Sequence, residues 1–278
     1  MTPVDPGGRR QLRPFPEREV TVGGWIADQM RTDLATGFVG HLDRLAPDLL
    51  VDDDIFGADR LTAVVTAKDL GALSDDAEWS AQFLWWNAET QGNWRDGWLR
   101  HAMTVGSDAD RDAARAWVER ILATQDADGY LGIYAPDLRF PERGENGELW
   151  AQAVLLRALL GYVGHTGDER VLEAVRRAAE RTMAGFPIGA SHPFGLERSF
   201  GGVTHGLVFT DVLWELAGLT DDRRYLAYAA WLYRSFATSP VAEGDARAEA
   251  LLDAGRGFEG HGVHTYEHWR ALTVAAIA

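Results

Sequence analysis

The sequence predicts an all-α fold built from stacked helical hairpins, and three observations carry that expectation. From Trp79 onward one pattern recurs three times: an apolar helix, a short turn with Gly or Asp, then a charged amphipathic helix. The turns fall at 105–110, 165–168 and 219–222. Thr166 and Thr220 lie 54 residues apart and Asp110 and Asp168 lie 58 apart, a period that fits two helices per unit. The two helices of a unit also differ in kind. Segment 169–183 carries Val171, Val175, Ala179 and Met183 on one stripe, with Glu173, Arg176, Arg177 and Glu180 elsewhere, so it has one wet face. Segment 149–163 is apolar all round except for Gln152 and Arg157, and 203–217 is broken only by His205, Asp211 and Glu215. A helix apolar on every side must be covered on every side. Finally, 46 % of the 278 residues are hydrophobic, with 11 Trp, ample for a sizeable core and incompatible with disorder over most of the chain.

The elements follow in order. Residues 1–21, with Pro3, Pro6, Pro14 and Pro16, read as an extended lead-in. Trp25, Ile26, Met30, Leu34, Phe38 and Leu42 predict a helix over 22–45, stopped by Pro47. Asp52, Asp53 and Asp54 mark a loop, and 58–71 is a candidate helix. One or two helices are expected in 79–105, then single helices over 108–124, 147–163, 168–184, 203–218, 221–237 and 261–277. Fully covered and half-covered helices in alternation imply an inner and an outer layer. They form a toroid where the hairpins close round an axis and a solenoid where they do not. The chain stops at 278 still in helical pattern, so the expectation is a single domain over 22–278 that is cut short at its C-terminus.

Charge and composition exclude several classes of function. Lys and Arg number 27 against 42 Asp and Glu, a formal charge of −15, which repels phosphate backbones and argues against nucleic acid as a partner. The chain has no cysteine, hence no disulfide, thiolate metal site or cysteine nucleophile of its own. Residues 1–13 lack the apolar core of a secretory signal. Charges or His interrupt every apolar run, so no membrane partner is expected. These readings point to a cytoplasmic setting.

Polar residues on the inner helices are the informative ones, because burying them costs free energy unless a partner or a cavity receives them. Asp96, Glu148, His205 and His261 succeed one another at intervals of 52, 57 and 56 residues. Each is read near the N-terminus of an inner helix, so in a toroid all four would line one end of the axial funnel. Together with Trp94, Trp98 and Trp150 they suggest a sugar-sized pocket: aromatic faces stack on sugar rings, and carboxylates and imidazoles exchange hydrogen bonds with hydroxyls. Gln152 and Glu89 are further candidates. The plainer readings are a helix-dipole role for Glu148, an N-cap role for Asp96 and backbone-bonded core positions for the two histidines. His264 and His268 share a helix face with His261, but no acidic ligand repeats with them, and no metal is assigned.

Several motifs resemble the β-L-arabinofuranosidase-like glycoside hydrolases of family 127 and its relatives. They are 14–20 (PFPEREV) followed by Gly24 and Trp25; Trp98, Leu99 and Ala102; 128–134 (DGYLGIY); Glu148, Leu149 and Trp150; Thr204, His205 and Gly206; 216–227 (LAGLTDDRRYLA); and Gly260 with His261. The resemblance implies a six-hairpin (α/α)6 toroid, of which this chain spans about the N-terminal half of a full family member. It carries His205 and His261 over as sugar-hydroxyl contacts. Where the family has a further His, about six positions after its Glu, this chain has Val154, with Gln152 nearby. The family's acid/base Glu and its zinc-bound Cys nucleophile correspond to positions beyond residue 278. The catalytic residues here are therefore unknown, and no cofactor is expected within the chain; zinc belongs to the family's C-terminal half. The resemblance implies removal of a terminal sugar from a glycan, with this chain by itself binding sugar weakly or not at all and not hydrolysing it. Two alternatives are a sugar epimerase on the same fold and a non-catalytic helical-repeat scaffold. An incomplete ring would expose the inner faces of its end hairpins, which implies a homodimer through the open end.

Overall fold

The computed structural model describes residues 15–62, 77–140, 147–194, 204–239 and 244–278. The predicted helix over 22–45 forms as two, α1 (Gly24–Ala35) and α2 (Phe38–Leu45). The amides of Thr36 and Gly37 both donate to Thr32 O, and a Cβ on Gly37 would lie 2.8 Å from Asp33 Cα, so the chain turns there. Pro47 stands at the first position of a one-turn helix, α3 (Pro47–Leu50), where its missing N–H costs nothing. The candidate helix at 58–71 does not begin as one: residues 58–62 are turn and bridge, and 63–76 lie outside the described residues. Leu61 instead pairs with the 133–135 segment, its N–H donating to Ile133 O and its carbonyl accepting from Ala135 N–H.

Residues 77–105 form one helix, α4 (Ala77–Val105). Three helices of charged amphipathic type come after their turns as expected: α5 (Asp108–Ala123), α7 (Glu169–Gly185) and α9 (Arg224–Ala237). Ser107 and Asp110 close a reciprocal capping box on α5, and Asp168 caps α7. Between them lie α6 (Glu148–Thr166), ended by Gly167 at φ 70°, and α8 (Phe209–Thr220), entered through a 3-10 turn at Gly206–Val208. A short α10 (Ala248–Leu252) and a long α11 (Gly262–Ile277) complete the described helices. None of them is long and apolar enough to cross a membrane.

Contacts between neighbours give the direction of each helix. Trp85 meets Gly147, Gly92 meets Val154, Asp96 pairs with Arg157 and Arg100 meets Gly161. The separation in sequence stays at 61 or 62, so α4 and α6 run parallel. His205 with His264 and Asp211 with Arg270 repeat the pattern between α8 and α11, both 59 apart. The outer layer behaves alike. Glu119 of α5 pairs with Arg170 of α7, and Gln125 just beyond α5 donates to Ala174 O. Glu180 of α7 pairs with Arg224 of α9, and Phe186 O accepts from Tyr228 OH. Parallel inner helices, parallel outer helices and antiparallel partners within each hairpin are what consecutive hairpins produce when they curl round a common axis.

Helix α6 is the core of this arrangement. Every residue from Gly147 to Val163 is buried except Arg157, and full burial of each large apolar side chain contributes roughly 1.5–3 kcal/mol. Gly92 lets α4 approach α6: a Cβ there would lie 2.7 Å from Val154 Cβ and 3.3 Å from its carbonyl carbon. Gly92→Ala is therefore expected to destabilise the chain by about 1–3 kcal/mol in urea unfolding, overpacking outweighing the helix propensity gained over glycine. A stabilised variant would mean that the two helices have room to part.

Candidate functional site

The N-terminus of α6 is held by the 128–134 turn. Tyr130 OH donates to Glu148 Oε1 at 2.8 Å, and Gln152 Nε2 donates to the same oxygen at 2.7 Å. Gln152 Oε1 accepts from Thr182 Oγ1 of α7 at 2.5 Å. Tyr134 OH accepts from Gly147 N–H at 2.9 Å, and Tyr134 N–H donates to Tyr130 OH at 3.1 Å. Beneath them the Arg139 guanidinium lies 3.7 Å from the Tyr130 ring centroid and pairs with Asp126. Glu148 and Gln152 are completely buried. Burial pushes the Glu148 carboxyl above the ordinary carboxylate range, against the pull of bonds from Gln152, Tyr130 and the Phe140 backbone. Burial, then the nearby Glu148 charge, raises the Tyr130 phenol well above its usual value. Sequence reasoning singles out Glu148 and Gln152 as polar interruptions of an apolar helix. The structure turns both toward protein partners, so their part is to anchor the first turn of α6 and thereby to place Trp150.

The Trp150 ring stacks on His205, with centroids 4.6 Å apart and planes 22° from parallel. His205 Nδ1 lies 2.8 Å from Glu267 Oε2, and its Nε2 lies 3.0 Å from His264 Nε2. The His261 ring meets His264 edge-on at 4.9 Å, and His268 Nε2 donates to Thr204 O at 3.1 Å. His261 stands at the N-cap position of α11 without a capping bond from its side chain and is exposed, whereas His205 and Glu267 keep 12 % and 14 % of their side chains exposed. Trp150 from α6, His205 from the turn before α8, and His261, His264 and Glu267 from α11 thus converge at the N-terminal end of the inner layer. Glu267 escapes sequence reasoning, since an acid on a helix reads as a solvent-facing residue. Its only signal is its place, i+3 from His264, one turn along the histidine face.

The other predicted residues lie elsewhere. The expected common phase of Asp96 and Glu148 does not hold: at the α4–α6 register, the residue level with Glu148 is near Trp86. Asp96 stands ten residues further on, about 15 Å along the axis at 1.5 Å per residue. It is no N-cap either, but lies inside α4 and pairs with Arg100 at 2.7 Å and Arg157 at 3.1 Å. The discrepancy arises because sequence intervals count loop residues together with helix residues, and α4 begins well before the helix start that the spacing implies. Trp94 is fixed by donating from Nε1 to Val39 O at 3.0 Å and stacks with Trp98 under the Arg95 guanidinium. Glu89 is half-buried on α4, about one turn beyond the level of Glu148.

Asp96 belongs to a second polar layer, further along the inner helices. Asp211 pairs with Arg270 at 2.5 Å, and Glu17 of the lead-in reaches Arg100 at 3.5 Å. Burial lifts Glu215 to about 7, with Arg100 opposing the shift and Glu17 and Asp96 adding to it. A carboxyl raised on folding stabilises the protein fully below its unfolded pKa of about 4.3, and that contribution is lost as pH rises through the folded value. The urea midpoint of the wild-type chain is thus expected to fall, relative to that of Glu215→Gln, between about pH 4.3 and about 7. Parallel profiles for the two chains would show Glu215 to be solvated.

The zinc-bound cysteine implied by the resemblance has no counterpart here. The chain has no cysteine, and among the described residues no group of three or more His, Asp or Glu could hold a metal ion. The residues present do not fit that ion. A family model described as beta-L-arabinofuranosidase, GH127 catalytic domain, matches residues 61–258. That span includes Glu148, Trp150, Gln152 and His205 and ends before His261. No curated protein and no solved structure matches the chain.

Proposed function

The chain belongs to the family of beta-L-arabinofuranosidase GH127 catalytic domains, and on that premise we propose that it forms the sugar-holding wall of a glycoside hydrolase acting on a terminal β-L-arabinofuranosyl group. Support comes from one observation above all: parallel inner helices bring Trp150, His205, His264, Glu267 and the exposed His261 to the same end of the layer. Imidazoles there exchange hydrogen bonds with sugar hydroxyls, and the indole supports the ring of His205 from behind. Hydrolysis further requires an acid/base and either a nucleophile or an activated water beside the anomeric carbon. Glu148 is sealed beneath Tyr130 and supplies neither, so we assign this chain binding without turnover.

Methyl β-L-arabinofuranoside titrated into the purified chain and monitored by calorimetry tests the reading. Saturable binding in the millimolar range, about −4 kcal/mol, is expected. His205→Ala is expected to weaken it at least about tenfold, the order of one hydrogen bond with its stacking support. Absence of saturable binding, or equal binding of an unrelated hexoside, would refute the sugar-wall role. Release of nitrophenol from 4-nitrophenyl β-L-arabinofuranoside by the purified chain would overturn the separation of binding from turnover.

A further inference from the structure

The structure assigns Glu267 as a positioning residue that fixes which nitrogen of His205 carries the proton. This rests on the sugar-contact role proposed for His205 and adds the donor–acceptor sense of that contact. An ionised carboxylate can only accept a hydrogen bond. With Glu267 Oε2 at 2.8 Å from Nδ1, the neutral His205 ring must hold its proton on Nδ1 and present a lone pair at Nε2, since the bond at one ring nitrogen sets the state of the other. Free histidine favours the opposite tautomer, so the choice comes from α11. Nε2 faces His264 Nε2 at 3.0 Å, and two nitrogens at that distance need one proton between them. His264 therefore donates and His205 accepts.

Burial makes the arrangement directional. His205 is clamped between the Trp150 face at 4.6 Å and the edge of His264 at 4.2 Å, and turning its ring over would take Nδ1 away from Glu267 and Nε2 away from His264. Glu267 stands one turn after His264 on α11, and Arg270 one turn further is engaged by Asp211, which leaves the Glu267 carboxylate to His205. A sugar hydroxyl that takes the place of His264 Nε2–H must then enter as a donor to His205 Nε2. The site therefore favours a ligand with a free hydroxyl at that point over its methyl ether.

Multiple-bond proton–nitrogen correlation on the 15N-histidine-labelled chain, at about pH 8.5, well above the ordinary imidazole pKa, reads the tautomer directly. His205 is expected to show a protonated Nδ1 and a bare Nε2. Glu267→Met, which fills similar space but accepts nothing, is expected to move the proton to Nε2. Glu267→Gln, whose amide oxygen still accepts, is expected to keep it on Nδ1. Binding of methyl β-L-arabinofuranoside is expected to weaken about tenfold in Glu267→Met and less than about threefold in Glu267→Gln. A proton on Nε2 of wild-type His205, or an unchanged Nδ1–H in Glu267→Met, would overturn the assignment. Should Glu267→Met fail to fold, the wild-type spectrum still decides. A chain that shows the expected tautomers yet binds no arabinofuranoside would refute the sugar-wall reading and leave the role of Glu267 toward His205 standing.

Discussion

Glu148→Ala is expected to lower the unfolding free energy by about 3–5 kcal/mol, a large part of the roughly 5–15 kcal/mol typical of a folded domain. The substitution strips Tyr130 OH and Gln152 Nε2 of their shared acceptor in a completely buried place. A buried donor left unsatisfied costs roughly 1–3 kcal/mol, and the vacated volume adds a cavity term. The loss passes along the network, because Gln152 also accepts from Thr182 on α7 and so ties inner to outer layer. Glu148→Gln separates charge from shape. Burial already favours the neutral acid, so the amide, which keeps the oxygen facing Tyr130, is expected to cost only about 1–2 kcal/mol. Urea unfolding of the three chains measures both values. An alanine variant within about 1 kcal/mol of wild type would show that Glu148 does not hold the start of α6.

Trp150→Ala is expected to cost a comparable amount, about 3–5 kcal/mol, the range for removing a large aromatic side chain from a core. Trp150 is 2 % exposed and fills the space between α6 and the turn that carries His205. Without it the imidazole loses the face against which it is stacked, and the proposed sugar binding should disappear together with the stability. Trp150→Phe offers the contrast. The indole Nε1 is buried with no hydrogen-bond partner among the described residues, so phenylalanine keeps much of the stacking face and removes an unsatisfied donor. A cost within about 1.5 kcal/mol, as for conservative core swaps, is expected in thermal or urea unfolding. A phenylalanine variant as damaged as the alanine one would mean that the indole nitrogen has a partner, such as a bound water.

Much of this molecule is legible along the chain. The turns before α5 and α7 carry their caps in plain sight, with Ser107 and Asp168 just ahead of the charged helices. The all-round apolarity of 149–163 translates directly into a helix buried on every side. Glu148 and Gln152 stand out as polar residues on that helix, and His205 lies at the start of an inner helix, as its spacing in the sequence suggests. Illegible are the relations between helices. Asp96 is misplaced because the interval to Glu148 mixes loop with helix. Glu267 is overlooked because nothing in its local pattern separates a carboxylate that meets an imidazole from one that meets water. The break at Thr36–Gly37 is hidden because apolar residues on both sides keep a helical phase.

Local pattern by itself determines the all-α class and the inner and outer character of the helices, because backbone propensity, capping and the apolar period act within a few residues. Only the tertiary structure decides that α4 and α6 lie parallel with Gly92 against Val154, that Asp96 answers Arg157 rather than a ligand, and that Glu267 meets His205. Those choices depend on how far one helix slides along another, which is set by side-chain volume at the points of closest approach and has no expression in the order of residues along either helix.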